Sequence, residues 1–545
     1  MKKIILSMLL AIMAGFAAFG FAACGDKTGD SSSTLQNGVE VSFPEVDGIV
    51  FVTDDLVNGQ IEKGSTLTFT LDLSAWKGSK NFTLLAGDQP ITPNEQGTYT
   101  VTVNEALALR FADVTVSFNE AEGVSYVCEY QDTVTVPFNT PISFSLDVNP
   151  FYTAKNAVVR AGASIQAADA QGVYTVYATS DTVISVLDVV KDEATCTTGG
   201  TDSENPFLIY TPADWLFIAE QVKIGNVNYV EGYYQLEADL DFKGETIPVI
   251  GDATTVGADN VETYFGGYFN GMGHTIKNFK IEETNTPYVG LFGYMMGSLN
   301  DPSLGTLNNV HIENFTVSGV MEGDANKMLA VGGLVGYGIG IRIINCSING
   351  GQVSATGNEM YLSYVGGAIG VVQSAFLDFG SYQSRVTPEI AYVSVTDTTV
   401  FANDGIIPSA GGIAGYVFAA DYLATTILHT SYARDVLVYG AIQTGGVVGH
   451  LAAYASVFNS YATGTVSAIA EIDDTSMPEY CTAYAGGVVA YAENETAIVR
   501  CFSASTLDAS SAVDGYAFTD GIVAKADDAG TLSHEAIVAY TADNY

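Results

Sequence analysis

From residue 290 onward one short glycine phrase keeps returning, and it limits the possible folds more than any other feature of the chain. It reads Gly290-Leu291-Phe292-Gly293, then Gly332-Gly333-Leu334-Val335-Gly336, Gly366-Gly367-Ala368-Ile369-Gly370 and Gly411-Gly412-Ile413-Ala414-Gly415. Gly445-Gly446-Val447-Val448-Gly449, Gly486-Gly487-Val488-Val489-Ala490 and a worn Gly521-Ile522-Val523 complete the series, with steps of 34 to 45 residues. Second apolar segments lie between the phrases, such as Ile343-Ile344-Asn345-Cys346-Ser347-Ile348 and Val457-Phe458-Asn459-Ser460-Tyr461-Ala462. A single turn of this kind cannot bury its own apolar residues, whereas stacked turns share one continuous core. Glycine suits the corners, where φ is positive or backbones crowd. Two strand-turns per repeat, read as about two coils, predict a body about 60–80 Å long at the usual strand spacing.

The lead-in to these repeats is ordered as well. Asn205-Pro206-Phe207-Leu208-Ile209-Tyr210 is followed by Tyr234-Gln235-Leu236-Glu237-Ala238-Asp239-Leu240-Asp241, Pro248-Val249-Ile250-Gly251 and Phe265-Gly266-Gly267-Tyr268-Phe269-Asn270-Gly271-Met272-Gly273-His274-Thr275-Ile276. Together with the phrase Gly290-Leu291-Phe292-Gly293, this series resembles the GLUG-motif proteins of bacterial surfaces, over residues 200–545. The resemblance implies a right-handed parallel β-helix, with 200–289 as lead-in and 290–545 as repeats. It also implies a surface or adhesin-like role; some members form parts of larger peptidases, and the family brings no catalytic residues. Between the first two lead-in segments a helix is expected at residues 211–222. Thr211 can N-cap it, Pro212 suits its first turn and Asp214 its positive end. Trp215, Ile218, Ala219 and Val222 share one face, suited to covering the open end of the solenoid.

Residues 39–192 hold a duplication. Val39-Glu40-Val41-Ser42-Phe43 returns as Val114-Thr115-Val116-Ser117-Phe118, Phe69-Thr70-Leu71-Asp72 as Phe144-Ser145-Leu146-Asp147, and Gly97-Thr98-Tyr99 as Gly172-Val173-Tyr174. Every pair is 75 residues apart. Alternating Leu67, Phe69, Leu71 and Leu73 mark a half-buried strand. About five strands per copy predict two small antiparallel sandwich-like modules, at 39–113 and 114–192, with a β-grasp-like module as the other arrangement; a stalk is the role expected of them. The whole chain is therefore expected to be all-β.

The first 23 residues have the layout of an export signal: Lys2 and Lys3, then an almost wholly apolar run, then Phe21-Ala22-Ala23-Cys24. Small residues before a cysteine resemble the bacterial lipoprotein signal, although Phe21 stands where an aliphatic residue is usual. The resemblance implies cleavage before Cys24 and a lipid on that residue, which would anchor the chain outside the cytoplasm, in the cell membrane or outer membrane. Residues 24–38 read as a flexible polar tether. The chain carries 61 acidic against 20 basic residues, a net charge of −41. Such a surface repels phosphate backbones, so nucleic acid is excluded as a partner. The other cysteines, Cys128, Cys196, Cys346, Cys481 and Cys501, form no CxxC pair; whether any of them join in a disulfide stays open.

Catalytic signatures are sparse. No P-loop or nucleophile elbow is present, and His534-Glu535 lacks the second histidine of a zincin. Asp473 and Asp474 lack a calcium-loop frame, and His274 lacks partner histidines, so no cofactor or metal is expected. Asp239 and Asp241 could mimic a glycosidase pair, and a β-helix lyase would need a cationic cluster from Lys327, Arg342, Arg385, Arg434, Arg500 and Lys525. Tyr294, Tyr337 and Tyr416 each directly follow a repeat phrase. Exposed, they would form a ladder for sugar rings or a protein partner; otherwise they pack over the turn. The sequence thus predicts a non-catalytic, lipid-anchored surface protein for adhesion or for binding a glycan or a host or neighbour-cell surface protein. A polysaccharide-active enzyme and a purely structural envelope component are the alternatives.

Overall fold

The computed structural model describes residues 35, 37–130, 132–253, 255–256, 261–298, 301–322, 328–357, 362–378, 383–403, 407–420, 425–473 and 475–527. Residues 1–23, Cys24, most of the tether, Lys327, Asp474, His534 and Glu535 lie outside them. The chain divides into two compact units, and no described helix is long and apolar enough to cross a membrane.

The first unit takes in the described residues to Glu120, together with Tyr126–Leu146 and Val158–Val186. The duplication is reproduced strand by strand and in register. Val39 faces Ile61 as Val114 faces Val136, and Leu67 faces Val101 as Ile142 faces Val176. Val41 pairs with Leu107 as Val116 pairs with Thr182. Those last pairings are parallel, so each copy has a mixed sheet and more strands than expected. The first strand of a copy sits between an antiparallel partner and a strand from near the copy's end, which runs parallel to it. A stacked aromatic pair centres each core: Phe69 on Tyr99 at 5.1 Å, and Phe144 on Tyr174 at 5.4 Å.

The second unit, chiefly Leu187 onward, is a parallel β-helix. One coil shows the path. Arg342–Ile344 lies in sheet I, Ser347–Asn349 and Gln352–Gly357 in sheet II, Leu362–Gly366 in sheet III and Ile369–Gln373 in sheet IV. The chain then returns to sheet I at Glu389–Ala391. Among the described residues sheet I has nine strands, and sheets III and IV have seven each. The residue after each inward phrase position stacks on its counterpart: Phe292, Val335, Ile369, Ala414, Val448, Val489 and Val523. One repeat is therefore one coil, not two. The second apolar segments belong to sheets I and II of the same coil, which shortens the stack to about 38 Å for nine strands.

The inward line Leu291, Leu334, Ala368, Ile413, Val447 and Val488 is fully buried, as stacking requires. At the first coil the helix α1 (Pro212–Lys223) turns its apolar face into the same core. Trp215 is fully buried there, edge-on to Phe242, Phe269 and Phe292. Thr211 and Asp214 form a reciprocal capping box. The Asp214 carboxylate also accepts from the backbone N–H groups of Cys196, Tyr210 and Thr211 at 2.9–3.0 Å, and from that of Thr195. Burial pushes its pKa up, but those four donors outweigh burial and hold it below the ordinary carboxylate value.

Candidate binding corner between sheets III and IV

The glycine phrases build the site, and they do so through space. None of Gly332, Gly366, Gly411, Gly445 and Gly486 has a positive φ. A Cβ on Gly366, Gly411, Gly445 or Gly486 would lie 1.9–2.0 Å from the carbonyl oxygen three residues ahead, because the chain folds so sharply from sheet III into sheet IV. A Cβ on the second glycine would strike the next coil: Gly367 meets the oxygen of Gly412, and Gly412 that of Gly446. A Cβ on the last glycine would strike sheet III of the preceding coil, as Gly415 would meet Val365 N at 2.5 Å. Sheets III and IV thus close against each other on their outer side.

This closure aims two lines of outward side chains at each other. On sheet IV the line runs Tyr294, Tyr337, Val371, Tyr416, His450, Tyr491, Lys525, in unbroken register. On sheet III it runs Tyr288, Ala330, Tyr364, Ser409, Gln443, Tyr484, Phe518. Rings meet across the corner and across coils. Tyr288 stacks on Tyr337, and Tyr364 on Tyr416, each at 4.7 Å. Along sheet IV, Tyr416, His450 and Tyr491 form an edge-to-face series at 4.8 and 4.9 Å.

Tyr294, Tyr337 and Tyr416 therefore share one line, half-buried against neighbouring rings and half open. The two readings of the sequence meet here: the rings pack over the corner and keep one side outward. Burial, with neighbouring tyrosines adding to it, raises the phenol of Tyr294 to about 12 and those of Tyr337 and Tyr416 further. All three stay neutral at physiological pH, and their hydroxyls have no hydrogen-bond partner among the described residues. Sequence reasoning missed Tyr288, Tyr364 and Tyr484, which stand two residues before a phrase, and Tyr491, which directly follows one. The signal was an aromatic at fixed distance on the upstream side of the glycines.

The residues weighed for catalysis have other work or stand apart. Asp239 accepts from Thr275 N at 3.0 Å and from His274 at 3.3 Å; Asp241 accepts from Asn278 at 2.7 Å and Lys243 N at 2.9 Å. Both brace turns between coils. Arg342 pairs with Glu389 at 2.9 Å on sheet I, Arg434 lies on sheet II and Lys525 on sheet IV, so these cations do not converge. Among the described residues no group of three or more His, Cys, Asp or Glu could hold a metal ion. Cys128, Cys196, Cys346, Cys481 and Cys501 are all free thiols.

No curated protein matches the chain. The family model of the GLUG motif matches residues 440–467, a stretch that spans the Gly445-Gly446 corner and the sheet IV strand bearing His450. The motif suggests an extracellular or surface protein of the β-helix kind. The chain is thus a parallel β-helix whose corners are set by these glycine phrases, one of which carries the GLUG motif.

Proposed function

We propose that this chain is a bacterial surface lipoprotein, anchored through Cys24, that binds a glycan or a surface protein of a host or neighbouring cell and performs no catalysis. The observation that carries this reading is the pair of facing aromatic lines in the corner between sheets III and IV. Stacked rings with one open side, and the unpartnered hydroxyls of Tyr294, Tyr337 and Tyr416 among the described residues, offer apolar contact and hydrogen bonds together, at low entropic cost. A rigid solenoid holds them in fixed spacing, which suits a polymer or an extended surface. The modules at 39–113 and 114–192 serve as spacer in this reading, and the acidic surface keeps the protein soluble and away from nucleic acid.

The test uses the full chain on a glycan array and on immobilised cell-surface proteins, with release of reducing ends assayed alongside. Binding is expected, with a loss of about tenfold or more in a Tyr337→Ala/Tyr416→Ala variant. Undiminished binding by that variant would refute the corner as the site. Release of reducing ends would favour a polysaccharide-active enzyme, a reading that the carboxylates Glu479 and Glu493 in one cleft of the corner support.

A further inference from the structure

Toward the C-terminal coils the corner holds a cleft of about 400 Å³. Gln443, Tyr484, His450, Tyr491, Glu493 and Lys525 are its working residues. The volume falls in the range of small-molecule sites. Tyr484 and Tyr491 both line it, with ring centroids 6.3 Å apart and planes at 47°.

The polar groups around these rings are held in place. Gln443 is only 6% exposed, and its Oε1 accepts from the buried Ser409 hydroxyl at 2.9 Å. That bond fixes the amide, and its Nε2 has no partner among the described residues. Glu493 is held at both oxygens, by His450 Nε2 at 3.0 Å and by Ala453 N at 3.1 Å. Its remaining lone pairs stay free to accept. An oriented amide donor and an oriented carboxylate acceptor beside aromatic faces match the alternating hydroxyls and C–H faces of a pyranose. Lys525 follows Tyr491 on the sheet IV line and makes no ion pair among the described residues, but Glu479 and Glu493 also line the cleft. In a chain of net charge −41 that balance disfavours an anionic ligand.

We propose that this cleft is a saccharide subsite for neutral hexose or N-acetylhexosamine units, seated on Tyr484 and Tyr491 and read by Gln443 and Glu493. The proposal rests on the binding role given to the corner and names the ligand class for its C-terminal end.

Calorimetric titration of the full chain with neutral hexose and N-acetylhexosamine oligosaccharides, and with uronate oligosaccharides, tests it. Neutral sugars are expected to bind and uronates not. Tyr484→Ala should weaken binding about tenfold or more, while Tyr484→Trp, which keeps a ring, should retain it. Tyr432→Ala, in the separate stack of Tyr432 on Tyr461 in sheet II, should leave it unchanged. A preference for uronates, or no saccharide binding at all, would overturn the subsite. Neutral sugars whose binding survives Tyr484→Ala but falls in Tyr337→Ala/Tyr416→Ala would also overturn it, while leaving the corner itself as the binding site.

Discussion

Glycine does opposite work in the two units. In the duplicated modules Gly64, Gly87, Gly97, Gly162 and Gly172 have φ of +56° to +87°, with nothing within 4 Å of where a Cβ would sit. There is room for a side chain but the backbone conformation resists one. In the solenoid corners Gly366, Gly411, Gly445 and Gly486 have ordinary φ, and a carbonyl oxygen occupies the place of the Cβ. There the backbone would accept a side chain but the space does not exist. Tight turns joining strands within one small module need conformational freedom. Coils stacked on each other, with two sheets closed at an acute corner, need the absence of atoms.

The comparison breaks most visibly at Gly411. Gly411→Ala must separate strands in two coils at once, and should destabilise the solenoid by more than about 4 kcal/mol. Denaturant unfolding followed by circular dichroism should show that loss, and a change under about 1 kcal/mol would sink the steric account. The first coil offers a sharper probe. Four backbone donors hold the Asp214 carboxylate below its ordinary pKa, so its stabilisation is complete above the unfolded value, about 3.9, and is lost as pH falls through the lower folded value. Asp214→Asn should cost about 1–3 kcal/mol at neutral pH and less in acid, because the wild-type carboxylate is neutralised there too. An equal cost at pH 7 and pH 2 would remove the electrostatic explanation. Gly97→Ala is the mildest case. Its φ of +80° should cost about 1–2 kcal/mol, and Gly97→Asn less, since asparagine tolerates that region. Thermal unfolding of the two variants ranks them; equal costs would mean that φ is not what selects glycine there.

Several parts of this fold were legible before any coordinates. The offset of 75 residues showed that the two modules repeat each other's pairings, because duplicated side-chain patterns demand duplicated pairings, but not the parallel pairing within each copy. The face of α1 was legible in Trp215, Ile218, Ala219 and Val222, because helical periodicity records which side is buried. The coil count was not. Apolar segments such as Ile343 to Ile348 resemble a second coil in the linear sequence, and only the pairing of Ile343 with Leu307 on one side and Ile390 on the other assigns them to another face of the same coil. The candidate site was half legible. Tyr294, Tyr337 and Tyr416 stood out by position, and Tyr364 and Tyr484 keep a fixed distance upstream of the glycines, whereas Gln443 carried no mark that separated it from other outward residues.

By itself the sequence determined that the chain has a duplicated β-region and a glycine-cornered solenoid, since local periodicity states which side chains turn inward. Tertiary structure alone decided that Tyr364 of one coil lies on Tyr416 of the next, and that Gln443 shares a cleft with Tyr491. Such pairs depend on the angle at which sheets III and IV close and on the register between coils dozens of residues apart. Both are set by which atoms are missing at the corner, and no single repeat records them.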